Sequence, residues 1–164
     1  MPPVIRSATA DDLPVITAIY NEAGVGTTAS YDLEPVSVEE RQAWWQSKIS
    51  HGFPVLVSEL DGVVTGFAAY GSFRDKAGYA QTVEHSVYVA DGHRASGLGR
   101  MLMLALIDHA IGHGVHVMIG CLDADNAASI AFHERLGFVE VGRMPQVGRK
   151  FDRWLDALFV QRTF

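Results

Sequence analysis

Residues Glu84 to Arg100 read E-H-S-V-Y-V-A-D-G-H-R-A-S-G-L-G-R, and this stretch decides the fold. It begins as a strand. It then turns through Gly92, Gly97 and Gly99 and opens directly into the apolar run Met101 to Ile107. A strand, a glycine-spaced turn and a helix start together make an anion site. The first N–H groups of a helix lack intrahelical partners, and the helix dipole adds partial positive charge there. Glycine lets a phosphate approach the backbone closely, and Arg94 and Arg100 add charge on either side. The stretch reads as a pyrophosphate-binding turn with Glu84, one strand-length upstream, placed for acid–base work. The same pattern also serves as a plain connection. It is neither G-x-x-x-x-G-K-[ST] nor the full G-x-G-x-x-G dinucleotide fingerprint.

The rest of the chain narrows the class. Its 164 residues fit one domain with a sizeable core, and a composition of 48% hydrophobic and 20% charged residues is ordinary for a globular protein. A formal net charge of −6 argues against a nucleic-acid partner, which calls for a basic face. No apolar run approaches membrane-span length, and M-P-P-V-I-R is not a signal peptide, so no membrane partner is expected. A single cysteine, Cys121, leaves no internal disulfide and points to a cytoplasmic protein. Lying in the apolar run Val115 to Leu122, it reads as a small core residue. The seven histidines show no metal-ligand grouping, so no metal is expected.

In chain order, Val4 to Ser7 is a strand. A helix follows from Asp11 to Glu22, with Leu13, Ile16, Ile19 and Tyr20 as its apolar stripe. Ala23 to Pro35 is a polar loop. Ser37 and Glu40 form a capping box for a helix carrying Trp44, Trp45 and Ile49. Pro54 to Leu60 and Val63 to Tyr70 alternate as strands around the hairpin signal Asp61-Gly62. A second polar loop, Gly71 to Gly78, leads to the strand Tyr79 to Val89. The helix after the turn runs to Gly112, and Val115 to Leu122 is a buried strand. Asp125 or Asn126 caps a helix ending at Leu136. Phe138 to Arg143 and Phe151 to Phe164 close the sheet, with an irregular M-P-Q-V-G-R between them. The order β-α-α-β-β-β-α-β-α-β-β is that of an α/β (α+β) single domain over residues 1–164, with a mixed sheet.

R-A-S-G-L-G (Arg94 to Gly99) after a strand, followed by a long helix, resembles the acetyl-CoA motif [QR]-x-x-G-x-[GA] of the GNAT N-acetyltransferase superfamily. D-N-A-A-S-I-A-F-H-E-R-L-G-F (Asp125 to Phe138) resembles its second cofactor segment. V-E-H-S-V-Y-V (Val83 to Val89), H-E-R-L-G-F (His133 to Phe138) and M-P-Q-V-G-R-K-F-D-R-W-L-D (Met144 to Asp156) resemble the phosphinothricin acetyltransferase branch. T-V-E-H-S-V-Y-V and the Arg74 loop are most similar to the methionine sulfone and methionine sulfoximine acetyltransferases within it. Ala95 departs from the glycine that many members carry.

The resemblance implies an acetyl-CoA-dependent N-acetyltransferase acting on a small amino-acid-like amine, and a homodimer. Protein N-terminal acetylation and a non-catalytic acyl-CoA sensor are the alternatives. Acetyl transfer needs a base for the ammonium, a donor for the carbonyl oxygen, a proton for the leaving thiolate and a fixed approach. The resemblance makes Glu84 the base, although a strand carboxylate is by itself only solvated. It makes His133 the acid, although a half-buried helix histidine also has a structural explanation. The backbone of Val87, Tyr88 and Val89 would pair with the pantetheine arm, with the Val89 N–H facing the thioester oxygen. Arg94, Ala95, Ser96, Gly97, Leu98, Gly99 and Arg100 would hold the pyrophosphate, and Asn126 the arm. Arg74 would bind a substrate carboxylate, with Asp75 and Lys76 beside it and Glu84, His85 and Ser86 opposite. Thr27, Thr28 and Tyr31 would close over the substrate. Strand alternation puts Thr82, Glu84, Ser86 and Tyr88 on one face and Val83, His85, Val87 and Val89 on the other. The resemblance also implies a bulge that would break this parity.

Overall fold

The computed structural model describes residues 1–164. Its strands are β1 (Val4–Ser7), β2 (Val55–Leu60), β3 (Val63–Ser72), β4 (Thr82–Val89), β5 (Val117–Asp123), β6 (Val139–Lys150) and β7 (Arg153–Thr163). Its α-helices are α1 (Leu13–Tyr20), α2 (Val38–Ser50), α3 (Leu98–Gly112) and α4 (Ala127–Arg135). The strands form one seven-stranded sheet in the order β1-β2-β3-β4-β5-β7-β6. Every neighbouring pair is antiparallel except β4 and β5, which run parallel. The β2–β3 hairpin turns on Asp61 and Gly62 at φ 52° and 80°, the left-handed pair that matches strand twist.

Two apolar layers enclose the sheet. On one face α3 packs Leu102, Met103, Leu106 and Ala110 against Ala68, Tyr70, Val83, Met118 and Leu158. On the other, Ile16, Ile19 and Tyr20 of α1 meet Val55, Val57, Phe67 and Ala69, with Trp44, Trp45 and Tyr88 at the margin. Both faces are covered, which is why β3 reads as a buried run from Thr65 to Gly71.

The structure corrects several sequence expectations. The first helix is a 3-10 turn (Ala10–Asp12), then α1, then a π-helical turn (Asn21–Val25) that carries the chain past Glu22. A 3-10 turn at Ala77–Tyr79 delays β4 to Thr82. The M-P-Q-V-G-R stretch belongs to β6. It stays paired with β7 across a register shift between Met144 and Gly148, and this bulge absorbs Pro145. Ile49 is 53% exposed and is no part of the inward stripe of α2. That stripe is Arg41, Trp44, Trp45 and Lys48, and Arg41 is the one fully buried residue of the helix. The capping box at its start is present as expected: Glu40 N–H donates to Ser37 Oγ at 3.1 Å and Ser37 N–H to Glu40 Oε2 at 2.8 Å. Cys121 is exposed, not core, because β5 loses its β4 neighbour before reaching it.

Candidate active site

The site is organised by the parting of β4 from β5. The two strands pair only at Thr82–Val117, Val83–Met118 and Glu84–Ile119. On its other edge β4 stays in unbroken register with β3, from Ser72–Val83 to Gly66–Val89. No bulge interrupts β4, and the predicted parity holds along the whole strand. Phe73 N–H donates to Thr82 O and Ala90 N–H to Thr65 O, so even-numbered residues direct their backbone groups toward β3. By alternation Val87 and Val89 direct theirs into the gap.

That gap opens into a cavity of about 650 Å³. Val87, Tyr88 and Val89 line it from β4, and Arg94, Ala95, Gly97, Gly99 and Arg100 from the turn. Asn126, Phe132 and His133 line it from α4, and Thr27 and Thr28 from the first loop. Gly97 is the N-cap of α3 at φ 86°, a conformation that glycine adopts without strain. The first intrahelical bond runs from Met101 N–H to Gly97 O at 3.0 Å, so the N–H groups of Leu98, Gly99 and Arg100 precede the helical ladder. Ala95 sits at φ 59°, which explains why glycine suits this position. Two expected residues lie outside the lining. Leu98 is buried as an anchor, and the Ser96 hydroxyl donates to the His93 carbonyl. Donors at a helix start, flanking arginines and free backbone on a splayed strand fit an anionic cofactor with an extended amide arm.

Asn126 caps α4 by accepting from Ser129 N–H at 3.1 Å, so its carbonyl oxygen is engaged while the residue lines the cavity. Thr28 donates to Asp123 at the end of β5 and ties the first loop across the cavity. Tyr31 packs over Gly148 of β6, where an added Cβ would lie 2.4 Å from its ring.

His85 and His133 meet in this wall with their Nε2 atoms 3.0 Å apart. Gly120 of β5 makes room, since a Cβ there would lie 2.7 Å from His85 Cε1. His85 Nδ1 donates to Ile119 O at 3.0 Å and His133 Nδ1 to Ser129 O at 2.7 Å. Each Nδ1 therefore carries its hydrogen, and in two neutral rings the facing Nε2 atoms are both acceptors. One added proton would bridge them. Burial lowers the pKa of both histidines, that of His85 to about 3, and opposes that proton. In this arrangement His133 offers no free ring nitrogen. Parity also separates His85 from Glu84 and Ser86, with which the sequence reading grouped it.

Glu84, Ser86 and Tyr88 face the α1 and α2 side. Glu84 pairs with Gly71, and a Cβ at Gly71 would lie 2.4 Å from Lys48 Nζ, so the glycine makes room for that lysine beside Glu84. Partial burial pushes the Glu84 pKa above the ordinary glutamate range and the Lys48 charge pulls it back. Its side chain still meets solvent. Burial holds the Lys48 pKa below the ordinary lysine value.

A second cavity, about 340 Å³, lies on this side. Its walls are Tyr20, Asp32, Val36, Glu40, Arg41, Trp44, Phe67, Ser86 and Tyr88. Ser86 and Tyr88 line both cavities. Arg74, Asp75 and Lys76 are exposed and line neither, although their loop leaves β3 beside the Glu84 end of β4. Arg74 lies over the Phe73 ring at 5.3 Å. The sequence reading missed Arg41 and Lys48. Their signal was the spacing Arg41, Trp44, Lys48, which sets two cations and an aromatic on one helix face.

The Acetyltransferase (GNAT) family model matches residues 16–138. The chain is 51% identical over 158 residues to the L-methionine sulfoximine/L-methionine sulfone acetyltransferase of Pseudomonas aeruginosa, covering 96% of this chain and 92% of that one. It is 38% identical to the phosphinothricin N-acetyltransferase of Alcaligenes faecalis, covering 96% and 81%. The fold superposes with a TM-score of 0.96 on a phosphinothricin acetyltransferase of Sinorhizobium meliloti solved in complex with acetyl-CoA, at 34% identity, covering 100% and 89%. The fold that holds the splayed strands, the glycine turn and the α3 start thus matches one solved with that cofactor, and the chain belongs to the GNAT family of acetyltransferases.

Proposed function

We propose that residues 1–164 form an acetyl-CoA-dependent N-acetyltransferase domain acting on the α-amino group of a small amino acid with an oxidised sulfur or phosphorus head group. The observation that carries this reading is the gap between β4 and β5 beside the α3 N-terminus, with Glu84 on the same strand, on the face whose Ser86 and Tyr88 line the second cavity. The relatives named for methionine sulfoximine, methionine sulfone and phosphinothricin support the substrate class.

Acetyl-CoA supplies the acetyl group as a thioester. The N–H groups at Leu98, Gly99 and Arg100, with the Arg94 and Arg100 side chains, hold its phosphates. The backbone of Val87 and Val89 and the Asn126 side chain hold the arm. The Val89 N–H donates to the carbonyl oxygen as negative charge develops there. Glu84 takes a proton from the substrate ammonium, directly or through one water, and its raised pKa suits that work. His133 returns a proton to the thiolate, a role that requires its Nε2 to gain a proton and to exchange His85 for the sulfur. Arg74, with Asp75 and Lys76, receives the α-carboxylate from the loop beside Glu84.

A homodimer belongs to this reading. The edge strand β6 and its turn expose Val139, Val141, Met144, Val147 and Phe151, an apolar surface that a second copy would cover. So does a cytoplasmic location, since the lone Cys121 leaves no internal disulfide.

The test is thiol release from acetyl-CoA with methionine sulfone, methionine sulfoximine, phosphinothricin, ordinary amino acids and a short peptide. Turnover on any of the first three is expected. Turnover on the peptide alone moves the function to protein acetylation. Tight acetyl-CoA binding without turnover on any amine leaves a sensor.

A further inference from the structure

Arg41 is an unusual residue to find inside a protein. It is 7% exposed, and its Nε has no hydrogen-bond partner. Its guanidinium lies 4.2 Å from the Tyr20 ring centroid and 4.5 Å from that of Trp44. A buried cation normally has an anion or a full set of acceptors. Two carboxylates line the same cavity: Glu40 is engaged in the Ser37 cap, and Asp32, which accepts from the Tyr20 hydroxyl, stays near Arg41 as an anion. Arg41 is thus a buried guanidinium, its Nε unpartnered, at the wall of a cavity of about 340 Å³, a volume suited to a small molecule. The remaining walls are aromatic: Tyr20, Trp44, Phe67 and Tyr88.

Methionine sulfone, methionine sulfoximine and phosphinothricin share one feature. Each ends in a tetrahedral sulfur or phosphorus that carries a methyl group and two electronegative atoms. We propose that the Arg41 cavity is the head-group subsite of the acceptor. Arg41 donates to the two electronegative atoms, and the aromatic walls take the methyl group. A planar fork matches a pair of acceptors on one centre better than a point charge does. Ser86 and Tyr88 line both this cavity and the cofactor cavity, so the acceptor's amino end would lie on the Ser86 side, toward the gap between β4 and β5. The inference rests on the acceptor class proposed above and gives its selectivity to a residue other than Arg74.

The test is equilibrium binding by calorimetry of L-methionine sulfone and of L-methionine, with coenzyme A present so that nothing turns over. The full chain is compared with Arg41→Met and Arg41→Lys, and coenzyme A affinity reports that each variant is folded. The wild type should bind the sulfone at least about tenfold more tightly than methionine, the effect of one charge-assisted hydrogen bond. Arg41→Met should bring the two affinities within about twofold, and Arg41→Lys should fall between. Discrimination that survives in Arg41→Met, or its absence in the wild type, overturns the inference. If Arg41→Met does not fold, unchanged discrimination in Arg41→Lys overturns it. Binding decides the matter whether or not the sulfone is acetylated, so the catalytic reading can fail separately in the thiol-release assay.

Discussion

The two sides of β4 carry two differently built sites. On the β5 side, the larger cavity is lined mostly by residues close in sequence, His85 to Arg100 in one stretch and Gly120 to Leu136 in another. On the α1 and α2 side, the second cavity gathers side chains from positions as far apart as Tyr20, Arg41, Phe67 and Tyr88. The first needs free N–H groups and a helix start, which a short motif encodes. The second needs a particular cation among particular rings, which only packing assembles. On the proposed reading, backbone recognition suits a cofactor used across a family, and side-chain recognition leaves room to vary the acceptor.

Four changes would break or sharpen this contrast. Glu84→Gln has the largest expected effect. It should lower turnover at neutral pH by roughly 100-fold to 10,000-fold, the usual contribution of a general base, while acetyl-CoA still binds. Parallel thiol-release and equilibrium-binding measurements check it, and equal loss of both would make Glu84 a structural residue. Gly97→Val comes next. A β-branched residue at φ 86° costs about 1–3 kcal/mol. The strain should raise the KM for acetyl-CoA by about tenfold and leave the KM of the amine unchanged. A rise in both would show that the two cavities do not act independently.

Lys48→Met tests the acceptor side alone. Glu84 must be ionised to act as base, so activity falls as pH drops through its pKa. The Lys48 cation favours the ionised form, and its removal raises that pKa further. The acid limb of the kcat/KM profile should therefore move to higher pH, with acetyl-CoA affinity unchanged. A limb that stays in place would dismiss Lys48 as a partner of Glu84. Ala95→Gly is the smallest change. Relieving a left-handed alanine should stabilise the fold by up to about 1 kcal/mol, read in a thermal melt, with the KM for acetyl-CoA steady or slightly lower. Lower stability would mean that the Ala95 methyl makes a contact that matters more than its strain.

Some of the acceptor side was legible as local chemistry and some was not. Glu84, Ser86 and Tyr88 share a face by simple alternation, and the continuous β3–β4 register preserves it. The bulge expected in β4 is absent, because the gap comes from the neighbouring strand turning away. Ile49 illustrates the opposite failure. The sequence singled it out with Trp44 and Trp45 among the residues of its helix, whereas the aromatic layer over Phe67 takes the face of Arg41, Trp44 and Lys48 and leaves Ile49 exposed. Cys121 misled for a related reason: an apolar run predicts a buried strand only where both neighbours are present.

What the sequence determined by itself was every feature written in consecutive residues. These are the order of elements, the glycine turn before α3, the Ser37–Glu40 and Asn126 caps and the Asp61-Gly62 hairpin. Such features depend on backbone conformation and hydrogen bonds over a few residues, so local side-chain chemistry specifies them. What only the tertiary structure decided was which groups lose water together. The Nε2 contact of His85 with His133, the place of Lys48 beside Glu84 and the aromatic enclosure of Arg41 join residues far apart in the chain. A charge or ring acquires its chemistry from the dielectric and the partners around it, and those are set only when the two faces of the sheet are covered.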